Sequence, residues 1–122
     1  MLLLTLRLSG NDSALLSDTY RYHSGLIGLE LYRSPPPQMP GLDMVKTKID
    51  HYQQTYEGGK TGNHAQIAAR KKARKEVVTL FKAILLYLQS IATEDDIPAL
   101  IQAGFGIRRQ GGRKKVVVAP AT

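Results

Sequence analysis

The chain has 122 residues, 43% hydrophobic and 22% charged, which predicts one soluble globular domain with its own core and sets aside a disordered chain. It contains no cysteine, and this excludes disulfides, thiol catalysis and cysteine-ligated zinc. Its formal net charge of +7 comes from two clusters, Arg70, Lys71, Lys72, Arg74 and Lys75, then Arg108, Arg109, Arg113, Lys114 and Lys115; the rest of the chain is mildly acidic.

The opening "MLLLTLRLSG" has no basic leader and no small-residue cleavage site, so it is read as neither a signal peptide nor a membrane span. The localisation is left open, with a cytoplasmic or virion-like setting expected ahead of a secreted one. Leu4, Leu6 and Leu8 alternate with Thr5 and Arg7, the pattern of a short strand or extended arm over residues 1–10. A lone strand leaves its backbone unsatisfied, so this arm must lie on the bundle, pair with another strand, or pair with another subunit.

A bundle is expected over residues 11–107. The first helix is predicted over residues 13–33, with Asn11, Asp12, Ser13 or Ser17 as cap candidates. Gly25 and Gly28 within it imply either a close backbone approach or a break. "SPPPQMPG" then forces an extended connector, because prolines lack amide donors and disfavour helix before them. A second helix follows from Leu42 to Tyr56, with Leu42, Val45, Ile49, Tyr52 and Tyr56 on one stripe and Gly58 as its expected left-handed cap.

The longest helix is predicted from residue 63 or 64 to 92. At about 100° per residue, Val77, Leu80, Phe81, Ile84, Leu85, Leu88 and Ile91 form its apolar face, opposite Lys72, Lys75, Thr79, Lys82 and Ser90. Asp95 or Asp96 should cap a short fourth helix with Pro98 in its first turn, closed by Gly104 with Phe105 packed across the cap. Residues 108–122 read as a basic tail. The fold class is thus all-α, three main helices and a short fourth.

The basic run in the third helix admits several readings. Lys71, Lys72 and Lys75 fall toward solvent, whereas Arg70 and Arg74 continue the apolar stripe beyond Val77. Positive charge early in a helix opposes the macrodipole by a few tenths of a kcal/mol per residue, a cost that an acidic partner element, an anion or solvent at the bundle's end would offset. The ordinary reading is a solvated helix end; the others are a phosphate-binding surface or a protein or headgroup contact. Alanines, not base-reading side chains, interleave the basic residues, so only non-specific nucleic-acid attraction is in question.

No catalytic, cofactor or metal motif can be assembled. The GKT of "EGGKTG" lacks the first P-loop glycine, since position 54 is Gln54, and it follows a helix rather than a strand. His23, His51 and His64 sit on separate elements without metal spacing. Asp95 and Asp96 are explained by a helix cap, and Tyr20, Tyr52, Tyr56 and Tyr87 lie at apolar-stripe positions suited to packing.

The connector with Pro36 and Pro37, the glycine loop with Gly59, and the long helix with Ala69, Ala73, Leu80, Leu85, Tyr87, Gln89, Ile91, Ala92 and Asp95, followed by Gly104 and Phe105, form one pattern. It resembles a bacterial helical domain found ahead of fibronectin type III domains, over about two-thirds of the chain. The resemblance implies a helical bundle used for assembly or attachment, without catalysis, often beside domains common on surface and virion-associated proteins. The expected function is therefore a non-enzymatic structural or protein-interaction module, a small subunit of a larger bacterial or phage-like assembly. Its partners would be other subunits or itself, with Leu4, Leu6, Leu8, Val116, Val117 and Val118 as subunit contacts. No cofactor or small-molecule substrate is expected. The alternative is a non-specific nucleic-acid-binding protein using both basic clusters.

Overall fold

Asn11 opens the first helix. Its backbone is extended (φ −72°, ψ 169°), and its side chain accepts the Ala14 amide at 2.8 Å, satisfying one of the orphan donors of a helix start. In the computed structural model, which describes residues 2–59 and 64–109, this is α1, Asp12–Ile27. The other elements are β1 (Leu2–Thr5), α2 (Leu42–Gly59), α3 (His64–Ile91), α4 (Ile97–Ala103) and β2 (Gly106–Arg109). Short 3₁₀ turns occupy Glu30–Tyr32 and Glu94–Asp96. The described residues form a small all-α bundle with one two-stranded sheet.

The core follows the expected stripes. Val45, Ile49 and Tyr52 of α2 are buried against Val77, Phe81, Ile84 and Leu88 of α3, with Leu15, Leu16, Tyr22 and Leu26 of α1 in the same cluster. Lys72, Lys75, Thr79, Lys82 and Ser90 are exposed on the far side of α3. Ile91 departs from its expected core position: in the last turn of α3 it is 39% exposed.

The first helix is shorter than its predicted span of 13–33, and its two glycines act differently. Gly28 is its C-cap, after which Leu29 turns extended and carries both Leu29 and Tyr32 into the core. Gly25 meets α4: a Cβ there would lie 2.2 Å from the Ala103 carbonyl oxygen and 2.6 Å from its Cα. Only a residue without a side chain lets these backbones approach so closely.

At the end of α4, Gly104 takes the left-handed conformation (φ 106°). The Gly104 amide donates to Ile101 O and the Phe105 amide to Leu100 O, an arrangement that satisfies the last carbonyls. Phe105 is buried in the shared core. Gly58 does not take the left-handed role assigned to it; it lies within the final turn of α2, and the positive-φ glycines among the described residues are Gly10 and Gly104. Asp96 holds the N-cap position of α4, but its carboxylate turns back to accept the Thr93 amide at 2.8 Å and so fastens the preceding 3₁₀ turn.

The N-terminal arm finds its partner inside the chain. β1 pairs antiparallel with β2, Leu4 opposite Ile107, and the Leu4 amide donates to the Gln89 side-chain oxygen at 3.0 Å. Leu4 is 4% exposed, and Leu6 and Leu8 pack against the core. These three leucines, expected at a subunit contact, are therefore placed in or against the chain's own core. Arg108 and Arg109 lie in β2 rather than opening a tail. Arg113, Lys114, Lys115, Val116, Val117 and Val118 lie outside the described residues.

Candidate contact groove and the basic segment of α3

Helical periodicity divides the basic run into two faces. Arg70 and Arg74 are one turn apart and both reach Asp12 at the start of α1, Arg70 Nε at 3.3 Å and Arg74 Nη1 at 2.9 Å from its carboxylate oxygens. Arg74 Nη2 also donates to the Gly10 carbonyl at 2.7 Å, and the Tyr52 hydroxyl of α2 donates to Asp12 Oδ1. Three helices and the β1–α1 turn are thus joined at one carboxylate. Partial burial alone would raise the pKa of Asp12, but the hydrogen bonds from Tyr52 and Arg74 and the charges of both arginines outweigh it and hold the group below its usual value. Burial and the neighbouring carboxylate push the Tyr52 hydroxyl up, so it stays a neutral donor. The compensating acidic element demanded by the α3 charges is Asp12.

Lys71, Lys72 and Lys75 occupy the other face, exposed and without an ion pair among the described residues. Two of them, Lys72 and Lys75, border an open groove of about 800 Å³ between α3, the first turns of α2 and the proline connector. Its apolar surface comes from Met39, Met44, Leu80, Ala83 and the prolines Pro37 and Pro40. Met44 is 54% exposed. Lys48 also lines the rim and stands 3.8 Å from Glu76, the one carboxylate among the lining residues, so the unpaired positive charge of the groove is that of Lys72 and Lys75.

The connector wall is pinned from beneath. Tyr32, buried and in edge contact with Tyr87 at 5.9 Å, donates its hydroxyl to the Pro40 carbonyl at 2.6 Å. Burial raises its pKa to about 12, so this donor is neutral at any ordinary pH. The Met39 amide donates to Pro36 O at 2.9 Å, and His23 Nε2 donates to Leu42 O at 3.1 Å. His23 is therefore a buried strut for the start of α2. Tyr20 does similar work, donating to Asp50 at 2.6 Å, and Tyr22 to the Arg7 carbonyl at 2.9 Å.

A smaller hollow of about 210 Å³ is lined by His51, Gln54, Thr55, Gly58, Gln66 and Ala69. Among the described residues no group of three or more His, Cys, Asp or Glu could hold a metal ion. Nor is any described helix long and apolar enough to cross a membrane. The structure therefore brings Lys72 and Lys75 of the expected set together with Lys48, withdraws Arg70 and Arg74 inward, and leaves Arg108 exposed on β2.

Periodicity alone did not single out Met39, Met44, Lys48 or Leu80 as one surface. The available signal was Met44, an apolar residue off the α2 stripe and among lysines. No family model, curated protein or solved structure matches the chain.

Proposed function

We propose that this chain is a non-enzymatic protein-interaction module, a small subunit of a larger assembly, and that the groove between the connector, α2 and α3 is its contact face. The observation that carries this reading is the combination found there: a methionine-bearing apolar surface rimmed by Lys48, Lys72 and Lys75, on walls already held by Tyr32 and His23. Exposed apolar surface with a polar rim is characteristic of protein contact sites, and methionine adapts to a partner's shape. The resemblance to helical domains preceding fibronectin type III domains points to the same class, assembly or attachment in a bacterial or phage-like setting. Nucleic-acid binding ranks second, because two of the five charges in the basic run are engaged by Asp12.

A photo-crosslinking side chain at Met44, compared with one at Ile27, tests the reading; both positions are exposed, at 54% and 62%. In the native cells Met44 should give a discrete protein adduct that resists nuclease and weakens when Lys72 and Lys75 are changed to Glu. Equal adducts from both positions would refute the groove as the contact face. Loss of the adduct on nuclease treatment would favour the nucleic-acid reading.

A further inference from the structure

We infer that the groove receives the α4 corner of a second copy of this chain, in a head-to-tail contact. The inference rests on the reading of the groove as a contact face and adds the identity of its occupant. The groove's walls limit what can enter. Along α3 and beyond the first turn of α2 the backbone groups are bonded within the helices, Pro37 and Pro40 have no amide to donate, and the Pro36 and Pro40 carbonyls already accept from Met39 and Tyr32. An added extended strand would find few backbone partners there. The occupant must satisfy its own backbone, as a helix or a capped turn does.

It must also present carboxylates at one end and an apolar side chain at the other, to meet Lys72 and Lys75 and then Leu80 and Met44. The α4 corner has this form. Glu94, Asp95 and Asp96 share one 3₁₀ turn fastened by the Thr93–Asp96 box, and Ile101 projects from α4 with 57% exposure. Leu100, Ala103 and Phe105 anchor the corner in the core, so it is a firm knob.

The spacing agrees on both sides. From the lysine pair to Leu80 and Ala83 is about 12 Å along α3, and from the acidic turn to Ile101 is about 10 Å. A chain cannot fill its own groove this way, because roughly 24 Å of unbroken helix separates Lys75 from Ile91. The two surfaces are different patches, so the contact is heterologous and would propagate as a chain or close into a ring. Its small size implies weak association, with Kd of about 10–100 μM.

Sedimentation analysis of the full chain tests this with complementary variants. Wild type should gain mass with concentration, less so at high salt. One variant carries Lys72→Glu and Lys75→Glu and lacks a working groove; the other carries Asp95→Lys and Ile101→Ser and lacks a working knob. Each alone should associate at least tenfold more weakly, while their equimolar mixture should form a 1:1 dimer that grows no further, because one intact groove and one intact knob remain. That complementation also shows that both variants are folded. The inference is overturned if wild type stays monomeric to millimolar concentration, if the mixture fails to complement, or if Lys71→Glu with Lys82→Glu, outside the groove, weakens association equally. A monomeric wild type whose Met44 adduct persists would overturn self-docking alone and leave the contact groove standing. Loss of that adduct as well would remove both.

Discussion

Asp12 holds Tyr52, Arg70 and Arg74 through one carboxylate, so its substitution should be felt by three helices at once. Its carboxylate side chain is 19% exposed and those of Arg70 and Arg74 are 24% and 30%, so water screens the cluster only in part. Asp12→Ala removes the acceptor of the buried Tyr52 hydroxyl, a loss of about 1–2 kcal/mol. It also removes a charge-assisted bond from Arg74, about 1.5–3 kcal/mol, and a favourable charge at the first turn of α1, about 0.5 kcal/mol. Arg74 keeps the Gly10 carbonyl, which moderates the total. The expected cost is about 3–4 kcal/mol in a urea melt at neutral pH, with Asp12→Asn costing roughly half because it can still accept from Tyr52. A double-mutant cycle with Arg74→Ala should give a coupling of about 1.5–2 kcal/mol. The folded-state pKa of Asp12 is depressed, so its contribution is present above the unfolded value near 3.8 and is lost as pH falls through the lower folded value. The gap between wild type and Asp12→Asn should accordingly narrow below about pH 4. An Asp12→Ala cost under about 1 kcal/mol, or a coupling near zero, would refute the reasoning, since surface pairs give no more than that.

Gly25→Ala should destabilise by about 2–3 kcal/mol because its Cβ would strike the Ala103 backbone, although helix propensity alone favours Ala by about 1 kcal/mol. A stabilised Gly25→Ala protein in thermal melts would show that α1 and α4 do not meet there. Leu88→Ala in the core should cost about 2–5 kcal/mol, whereas Leu86→Ala two residues away, 65% exposed, should stay within about 0.5 kcal/mol of neutral. Similar urea midpoints for the two would mean that the buried face of α3 has been misassigned.

Local physics was legible and long-range contact was not. The α2 and α3 stripes, the break at the prolines and the Gly104 closure each depend on residues within a few turns of one another, where helical periodicity or cap geometry suffices. Gly25 could be read only as a close approach or a break, because its neighbour Ala103 belongs to a distant element. The arm showed its strand pattern in Leu4, Leu6 and Leu8, but its partner β2 lies more than a hundred residues away. Gly58 was misjudged because a glycine near a helix end favours a left-handed cap without requiring one. The groove was invisible for a related reason: its third wall depends on Tyr32 holding the Pro40 carbonyl, and periodicity does not reveal which backbone a hydroxyl will find.

The division of the basic run has a chemical logic beyond its geometry. Arg70 and Arg74 lie about 40° apart around α3 and face Asp12, while Lys71 and Lys75 lie a full residue's turn further toward solvent. At position 74 one side chain satisfies two acceptors at once, Asp12 and the Gly10 carbonyl, which the planar guanidinium fork does without distortion. An ammonium group there would be more strongly hydrated and harder to place among half-buried partners. At 71, 72 and 75 the reverse holds: each side chain is exposed, and a long, well-hydrated ammonium keeps its charge in water. Counting five positive charges in this run overstates what an anionic partner meets by the two arginines. Those two join α3 to the start of α1, whereas Lys72 and Lys75 give the groove its sign.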